Sequence, residues 1–478
     1  MLKSILKNEW LVFLSFLLFS VFLRFSTLFP SVIDPDESTY LVMAHQLIHG
    51  DVLYVDTTDI KPFGIYVFFA GLISICQSVL FVRLVAVLLI AISAFCLYRI
   101  KSIFTDNSYL KFMVGMVYVA LMSTPFGFAF NTEILFTTCT ILGLYFFTVE
   151  KGRLAVFVSG LLFGLGFMTK YLVLFDVLAI FLFFFIYKVC VKKEQSFFQY
   201  VFFAFIAFVG FLIPFWGAHF YYYFIGHYKE FHFVTYELPF NYQGEKDVVA
   251  DLDFVSGIHQ RYIPFIIVFY LSLLNFWSTN KNHLSEKLFV FLWYVFAMYA
   301  IYMPGAHFRH YYLQAIPAIS FLVPNLFFEN KYVYRVFEDK WVRNISIGML
   351  VFIATGYTGY WTNSYLNKPD LAKEIASYLE GEVSEEDEIF VSSPQVVHLL
   401  LDKKSPARYV HPTLIVDAER VEKFQIDVGL ECDDVFKENL PIYWVRGGYE
   451  ACDQFEWDKK YKLEKELSEG VLVFRRID

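Results

Sequence analysis

Asp36 and Glu37 stand side by side behind Pro35, near the head of the stretch "IDPDESTYLVMAHQLIHGDVLYVDTTDIKPFG" (33–64). A carboxylate placed against an acceptor hydroxyl can take its proton, which is the work of a general base. Tyr40 follows Glu37 by three residues, close to one helical turn, and Lys61 precedes Pro62 at the start of a further apolar run. An ammonium beside a helix N-terminus suits a phosphate. Glu133, in "AFNTEILF", is a third acid at the edge of an apolar run, and "HFRHYYLQAIPAIS" gathers His307, Arg309, His310, Tyr311 and Tyr312 at a helix start. Cations and phenols in that setting can hold a phosphate. Each group also has a plainer reading, because acids in external turns are often simply solvated and tyrosines collect in the aromatic belt of any bilayer interface.

The elements that must position these residues are membrane helices. Apolar runs of roughly 16 to 22 residues, the length that crosses a bilayer as helix, occur near 11–29, 79–98, 110–127, 132–149, 154–169, 171–187, 199–220, 262–277, 287–303, 311–327 and 344–361. They predict about eleven transmembrane helices. Lys and Arg concentrate after the even-numbered runs, at Arg99, Lys101, Lys111, Lys151, Arg153, Lys188, Lys192, Lys193, Lys281, Lys287, Lys331, Arg335, Lys340 and Arg343. The positive-inside rule then puts the N-terminus in the cytoplasm and residues 30–78, 128–133, 221–261 and 304–310 outside. The shorter run "PFGIYVFFAGLISI" (62–75) and the segment 37–49 before it read as two helices lying along the outer interface. The first run follows Lys3 and Lys7 without a small-residue cleavage site, so it reads as a retained span.

Composition agrees with that frame. The 478 residues are 57% hydrophobic, with 58 Phe and 33 Tyr, and the mean hydropathy is +0.50, too apolar for soluble cores. A net charge of −8 speaks against nucleic acid as a partner. From about Asp370 the composition changes. "DLAKEIASYLEGEVSEEDEIFVSS" reads as an amphipathic helix and a strand, followed by strand-like runs at "PIYWV" and "GVLVFRRI". The expected organisation is a transmembrane catalytic domain over 1–365, with its external loop 30–78, and a small external α/β domain over 366–478. That second domain has no phosphate-cradling glycine loop. Cys432 and Cys452 are the two cysteines in polar sequence; an oxidising compartment favours a bridge between them, but spacing alone leaves two free thiols equally open. His227, His232, His307 and His310 match no metal signature in their spacing, and a divalent metal is left open.

The combination of "DE" in the first external loop, a Tyr three residues on, the pattern G…Y.D…KP, an acid in the second loop and "RHYY…P" before a late span resembles the integral-membrane GT-C glycosyltransferases. Within them it resembles the bacterial protein O-mannosyltransferases and the aminoarabinose transferases of lipid A. The resemblance implies a polyprenyl-phosphate sugar donor, a lipid, glycan or protein acceptor, and a bacterial inner-membrane location among membrane lipids. It also implies that Asp36 is the base and Glu133 the second acid, with donor-phosphate contacts from Lys61 and the region of Tyr311; the residues themselves add Glu37 to the catalytic candidates and Tyr40, Arg309, His310 and Tyr312 to the phosphate contacts. Two departures stand out: "KPF" where the family shows KPP, and Ile60 where an acid often precedes the Lys. A lipid or glycan transporter is the alternative reading, expected to carry its rare charges in mid-span or at broken helices. A non-catalytic envelope assembly protein is a third.

Overall fold

A computed structural model of the full chain describes residues 5–241, 248–275, 283–305, 308–411, 413–448, 452 and 459–477. His307 lies outside the described residues. The principal helices, in chain order, are α1 (Glu9–Arg24), α2 (Pro35–Ile48), α3 (Phe63–Ile75), α4 (Val79–Lys101), α5 (Ser108–Met122), α6 (Thr132–Thr148) and α7 (Arg153–Phe167). They continue as α8 (Val173–Phe185), α9 (Phe197–Phe224), α10 (Val248–Leu273), α11 (His283–Tyr302), α12 (Ile316–Leu322), α13 (Lys340–Leu366) and α14 (Leu371–Leu379). A helix overlaps each of the eleven apolar runs. Among the described residues, six helical stretches are long and apolar enough to cross a membrane: Glu9–Leu28, Val79–Lys101, Val173–Val191, Phe197–Phe224, His283–Tyr302 and Arg309–Glu329. α5, α6 and α7 are apolar but short, at 15, 17 and 15 residues. At 1.5 Å of rise per residue, each falls short of the roughly 30 Å hydrocarbon layer. The chain is an integral membrane protein.

One compact unit comprises Met1–Ser26, Leu84–Ala218 and Gly244–Thr362. Small residues let its helices approach closely. A Cβ at Gly160 of α7 would collide with the backbone of Ala207 in α9, and one at Gly210 with the carbonyl of Phe157. Charge inside this bundle is paired. Lys101 donates to Glu286, to Asn325 Oδ1 (2.7 Å) and to the Phe321 carbonyl (2.9 Å), all buried. Asp176 of α8 accepts from Trp293 Nε1 (2.8 Å) and Gln314 Nε2 (2.6 Å). Neither cluster was foreseen in the sequence, where single ionisable residues in apolar runs give no sign of their partners. Arg24, near the end of α1, does not reach out to the interface as a lysine or arginine at a span end commonly does. It is fully buried and donates to the carbonyls of Met122, Gly127 and Phe128, which the turn after α5 leaves without helical partners.

The other compact unit comprises Thr27–Arg83, His219–Gln243 and Asn363–Asp478. α2 starts where Asp34 accepts from the Asp36 backbone N–H at 2.9 Å and Pro35 occupies the first turn, a favourable N-terminus on both counts. α14 is capped by Asp370 and buries Ala372, Ile375 and Leu379 on one face. A four-stranded sheet follows, in the order β1 (Ile389–Val391), β2 (Tyr443–Arg446), β4 (Leu472–Arg476), β3 (Tyr461–Glu466). β1 runs parallel to β2, and β4 antiparallel to both neighbours. β1, β2 and β4 coincide with the strand-like runs of the sequence. β3, "YKLEKE", does not, because its Lys and Glu disfavour strand; they suit an edge whose side chains are exposed beyond Tyr461. Phe390, Val435, Phe436, Trp444 and Tyr461 form a core around a Cys432–Cys452 disulfide, with Cα atoms 5.6 Å apart.

Candidate active site

The first helical turn of α2 sends its two acids in different directions, since neighbours on a helix do not share a face. Asp36 keeps one side of the turn. Its Oδ2 lies 3.5 Å from Lys61 Nζ and accepts from Tyr40 Oη at 3.3 Å, while Oδ1 lies 3.2 Å from His411 Nε2. Asp36 and Lys61 each keep 16% of their side-chain surface exposed and His411 keeps 10%, so the group is reachable from solvent. The Lys61 ammonium also sits 5.9 Å from the centre of the Tyr40 ring, and Tyr40 is fixed edge-on against Tyr66 and Phe69.

Glu37 takes the other side and is consumed by structure. Its carboxylate accepts from Arg83 Nε at 3.2 Å and Nη2 at 2.7 Å, both side chains 1% exposed. Arg83 spends its remaining donors on the carbonyls of Thr27, Pro30 and Ser31. The pair therefore holds the chain entering α2 and leaves Glu37 no open face for a reacting group.

The backbone that delivers Lys61 and His411 is cross-linked. Thr58 N–H donates to the Arg408 carbonyl at 2.7 Å, and Thr58 and Tyr409 form a parallel bridge. Tyr54, at a positive φ of 69°, donates its hydroxyl to the Lys61 carbonyl at 2.8 Å. Gln46 of α2 bonds both strands of this arrangement, accepting from Thr57 Oγ1 (3.1 Å) and donating to the Ser405 carbonyl (3.1 Å). Gln395 donates to Thr39 Oγ1 at 2.9 Å. His411 was absent from the sequence reading, and nothing local in "YVHPT" marks it.

In the helical unit, Glu133 is buried in the first turn of α6, where it accepts from Lys170 and from Thr132 Oγ1 at 3.1 Å. Lys170 Nζ stands 3.2 Å from the centre of the Tyr311 ring, a close cation–π contact. Lys170 is thus the partner of the second acid. His310 packs edge-on against Tyr311 at 5.0 Å, and Arg309 is exposed. Tyr312 turns inward and is buried, its ring 5.4 Å from that of Tyr262. The expected set "RHYY" therefore splits: Tyr311 joins Glu133 through Lys170, and Tyr312 joins the core.

Residues 60–216 match the family described as dolichyl-phosphate-mannose-protein mannosyltransferase. The chain is similar in structure to ArnT from Cupriavidus metallidurans bound to undecaprenyl phosphate, with a TM-score of 0.63 and 12% identity over 98% of each chain. It is similar to ArnT from Cupriavidus metallidurans in the apo state, with a TM-score of 0.64 and 12% identity over 97% of each chain. No curated protein sequence matches it. The chain thus shares its fold along nearly its whole length with ArnT from Cupriavidus metallidurans, an integral-membrane fold, and over residues 60–216 it is similar in sequence to the dolichyl-phosphate-mannose-protein mannosyltransferases.

Proposed function

We propose that the protein is an inverting glycosyltransferase that moves a sugar from a polyprenyl-phosphate donor to an acceptor hydroxyl at the outer face of a bacterial inner membrane. The observation that carries this reading is Asp36, a partly exposed carboxylate oriented by Tyr40, Lys61 and His411. A carboxylate so held is positioned before the acceptor arrives, which is where general-base catalysis gains its advantage. The acceptor oxygen attacks the anomeric carbon, its proton passes to Asp36, and the bond from that carbon to the phosphate oxygen breaks. The electron pair leaves with polyprenyl phosphate, and a single displacement inverts the anomeric centre. Lys61 offers the leaving phosphate a cation, and the Lys170, His310 and Tyr311 group supplies a second place where a phosphate is electrostatically welcome. Glu133 acts through Lys170, which it holds. Glu37 and Tyr312 are positioning residues in this account. The match to undecaprenyl-phosphate-bound ArnT supports the donor class. The eleven-span topology, the outward placement of residues 366–478 and the open choice among lipid, glycan and protein acceptors belong to the same proposal.

The test is reconstitution of the purified protein in vesicles with undecaprenyl-phosphate-linked radiolabelled sugar and a bacterial membrane extract as acceptor pool. Transfer of label into the extract with release of undecaprenyl phosphate is expected. Movement of chemically intact donor across the vesicle, without transfer, would establish the transporter reading instead.

A further inference from the structure

The far end of α2 carries two histidines that the transfer chemistry does not use. His45 and His49 are four residues apart, a spacing that puts both on one helical face, and their ring centres are 4.3 Å apart. Asp402 reaches both from 357 positions along the chain. Its Oδ1 is 2.8 Å from His45 Nε2 and 3.8 Å from His49 Nε2, and one ligand atom from each of the three residues lies within 4.8 Å of the others. His49 Nδ1 sits 2.8 Å from the His45 carbonyl, which can only accept, so Nδ1 carries the proton in the neutral ring. The Nε2 lone pair of His49 is then turned toward a carboxylate oxygen at 3.8 Å, two electron-rich atoms that a cation between them would satisfy. A backbone carbonyl behind the ring is the usual way a ligating imidazole is oriented.

Other features point the same way. Asp402 stands at a left-handed φ of 54° in the turn that ends the helix Val397–Leu400. Gln77 Nε2 donates to its Oδ1 at 2.8 Å. A cavity of about 430 Å³, lined in part by Gln77, Asp402, Arg83 and Lys373, opens beside the carboxylate.

We propose that His45, His49 and Asp402 bind a first-row divalent metal ion, with Zn²⁺ the ion that two imidazoles and a carboxylate suit best. The metal takes the lone pair of His45 Nε2 in the tautomer that carries its proton on Nδ1, and clips the end of α2 to the segment that runs from Asp402 to His411. Asp36 and His411 join the same two pieces at their other ends, so the ion would hold the base and its histidine in register. Metal binding itself does not depend on the transfer reading.

The experiment is calorimetric titration of the full-length, detergent-solubilised protein with ZnCl₂ after EDTA treatment, beside His49→Ala and Asp402→Asn. His49 is 40% exposed, so its truncation leaves the fold intact. Expected are saturation at one Zn²⁺ per chain, a rise in thermal midpoint on adding Zn²⁺, and roughly 10-fold or greater loss of affinity in each variant with the thermal rise abolished. Absence of saturable binding to the wild-type protein, or binding by both variants as tight as that of wild type, overturns the proposal.

Discussion

Asp36 and His411 are 375 positions apart in the chain, and the imidazole Nε2 of one lies 3.2 Å from the carboxylate of the other. His411 also faces Thr413 Oγ1, 2.8 Å from its Nδ1. A hydroxyl that fixes one ring nitrogen leaves the other to hold the carboxylate, as in acid–histidine pairs generally. If His411 orients the base, His411→Gln should lower kcat by roughly 10-fold or more, the scale of a lost hydrogen bond to a charged group of about 1.5–3 kcal/mol. KM for the donor and the thermal midpoint should stay near wild type. A loss confined to stability, with kcat preserved per folded molecule, would reduce His411 to a packing residue.

Lys61 bears on the leaving group. Lys61→Ala is expected to weaken competition by free undecaprenyl phosphate by on the order of 10-fold or more. The readout is the inhibition constant of that product against donor. Inhibition unchanged from wild type would remove Lys61 from the phosphate site.

The Glu37–Arg83 pair makes a different claim, about stability. Arg83→Ala leaves a buried carboxylate without its partner, a change that costs about 3–5 kcal/mol in comparable pairs. The variant should unfold well below the wild-type temperature in detergent, and Glu37→Gln, which keeps a polar group facing Arg83, should fall less. Loss of turnover in Glu37→Gln at full stability would instead give Glu37 a part in the chemistry.

The C-terminal segment carries two groups whose titration opposes folding from opposite sides. Burial pushes the Glu431 carboxyl up to about 7, against the opposing pull of Arg408. A raised carboxyl favours folding fully below its ordinary 4.5 and loses that contribution as pH rises through about 7. Burial pushes His398 down to about 3, with His45 adding to the effect, and its Nε2 accepts from the Val391 N–H. Its contribution is complete above 6.5 and is lost as pH falls toward 3. Thermal unfolding from about pH 5 to 8 should show a loss toward the alkaline side that Glu431→Gln removes. An identical profile in that variant would contradict the assignment.

Much of this arrangement is visible in the chain before folding, and the reasons for the remainder are physical. Apolar runs declare helices because a membrane segment must bond its own backbone, and each run carries one. Asp36 and Tyr40 are one turn apart, and their contact follows from helical spacing. The division of labour between Asp36 and Glu37 does not, because it depends on which side of the turn meets Arg83. His411 and Asp402 are invisible for a simpler reason: their partners in α2 are hundreds of residues away, and sequence distance carries no signal. The partnership of Lys170 with Glu133 is hidden in the same way, since Glu133 lies 37 positions earlier and only the fold closes the gap. β3 hid because its charged residues imitate a loop.

The most direct measurement is turnover by Asp36→Asn, set against wild type in the same vesicles with undecaprenyl-phosphate-linked sugar as donor. Asparagine keeps the shape and can still bond Tyr40 and His411, but it cannot accept a proton from the acceptor. Donor binding should remain within a few-fold of wild type while turnover falls by on the order of 100-fold or more. Turnover near the wild-type rate, with donor bound normally, would contradict the assignment of Asp36 as the base.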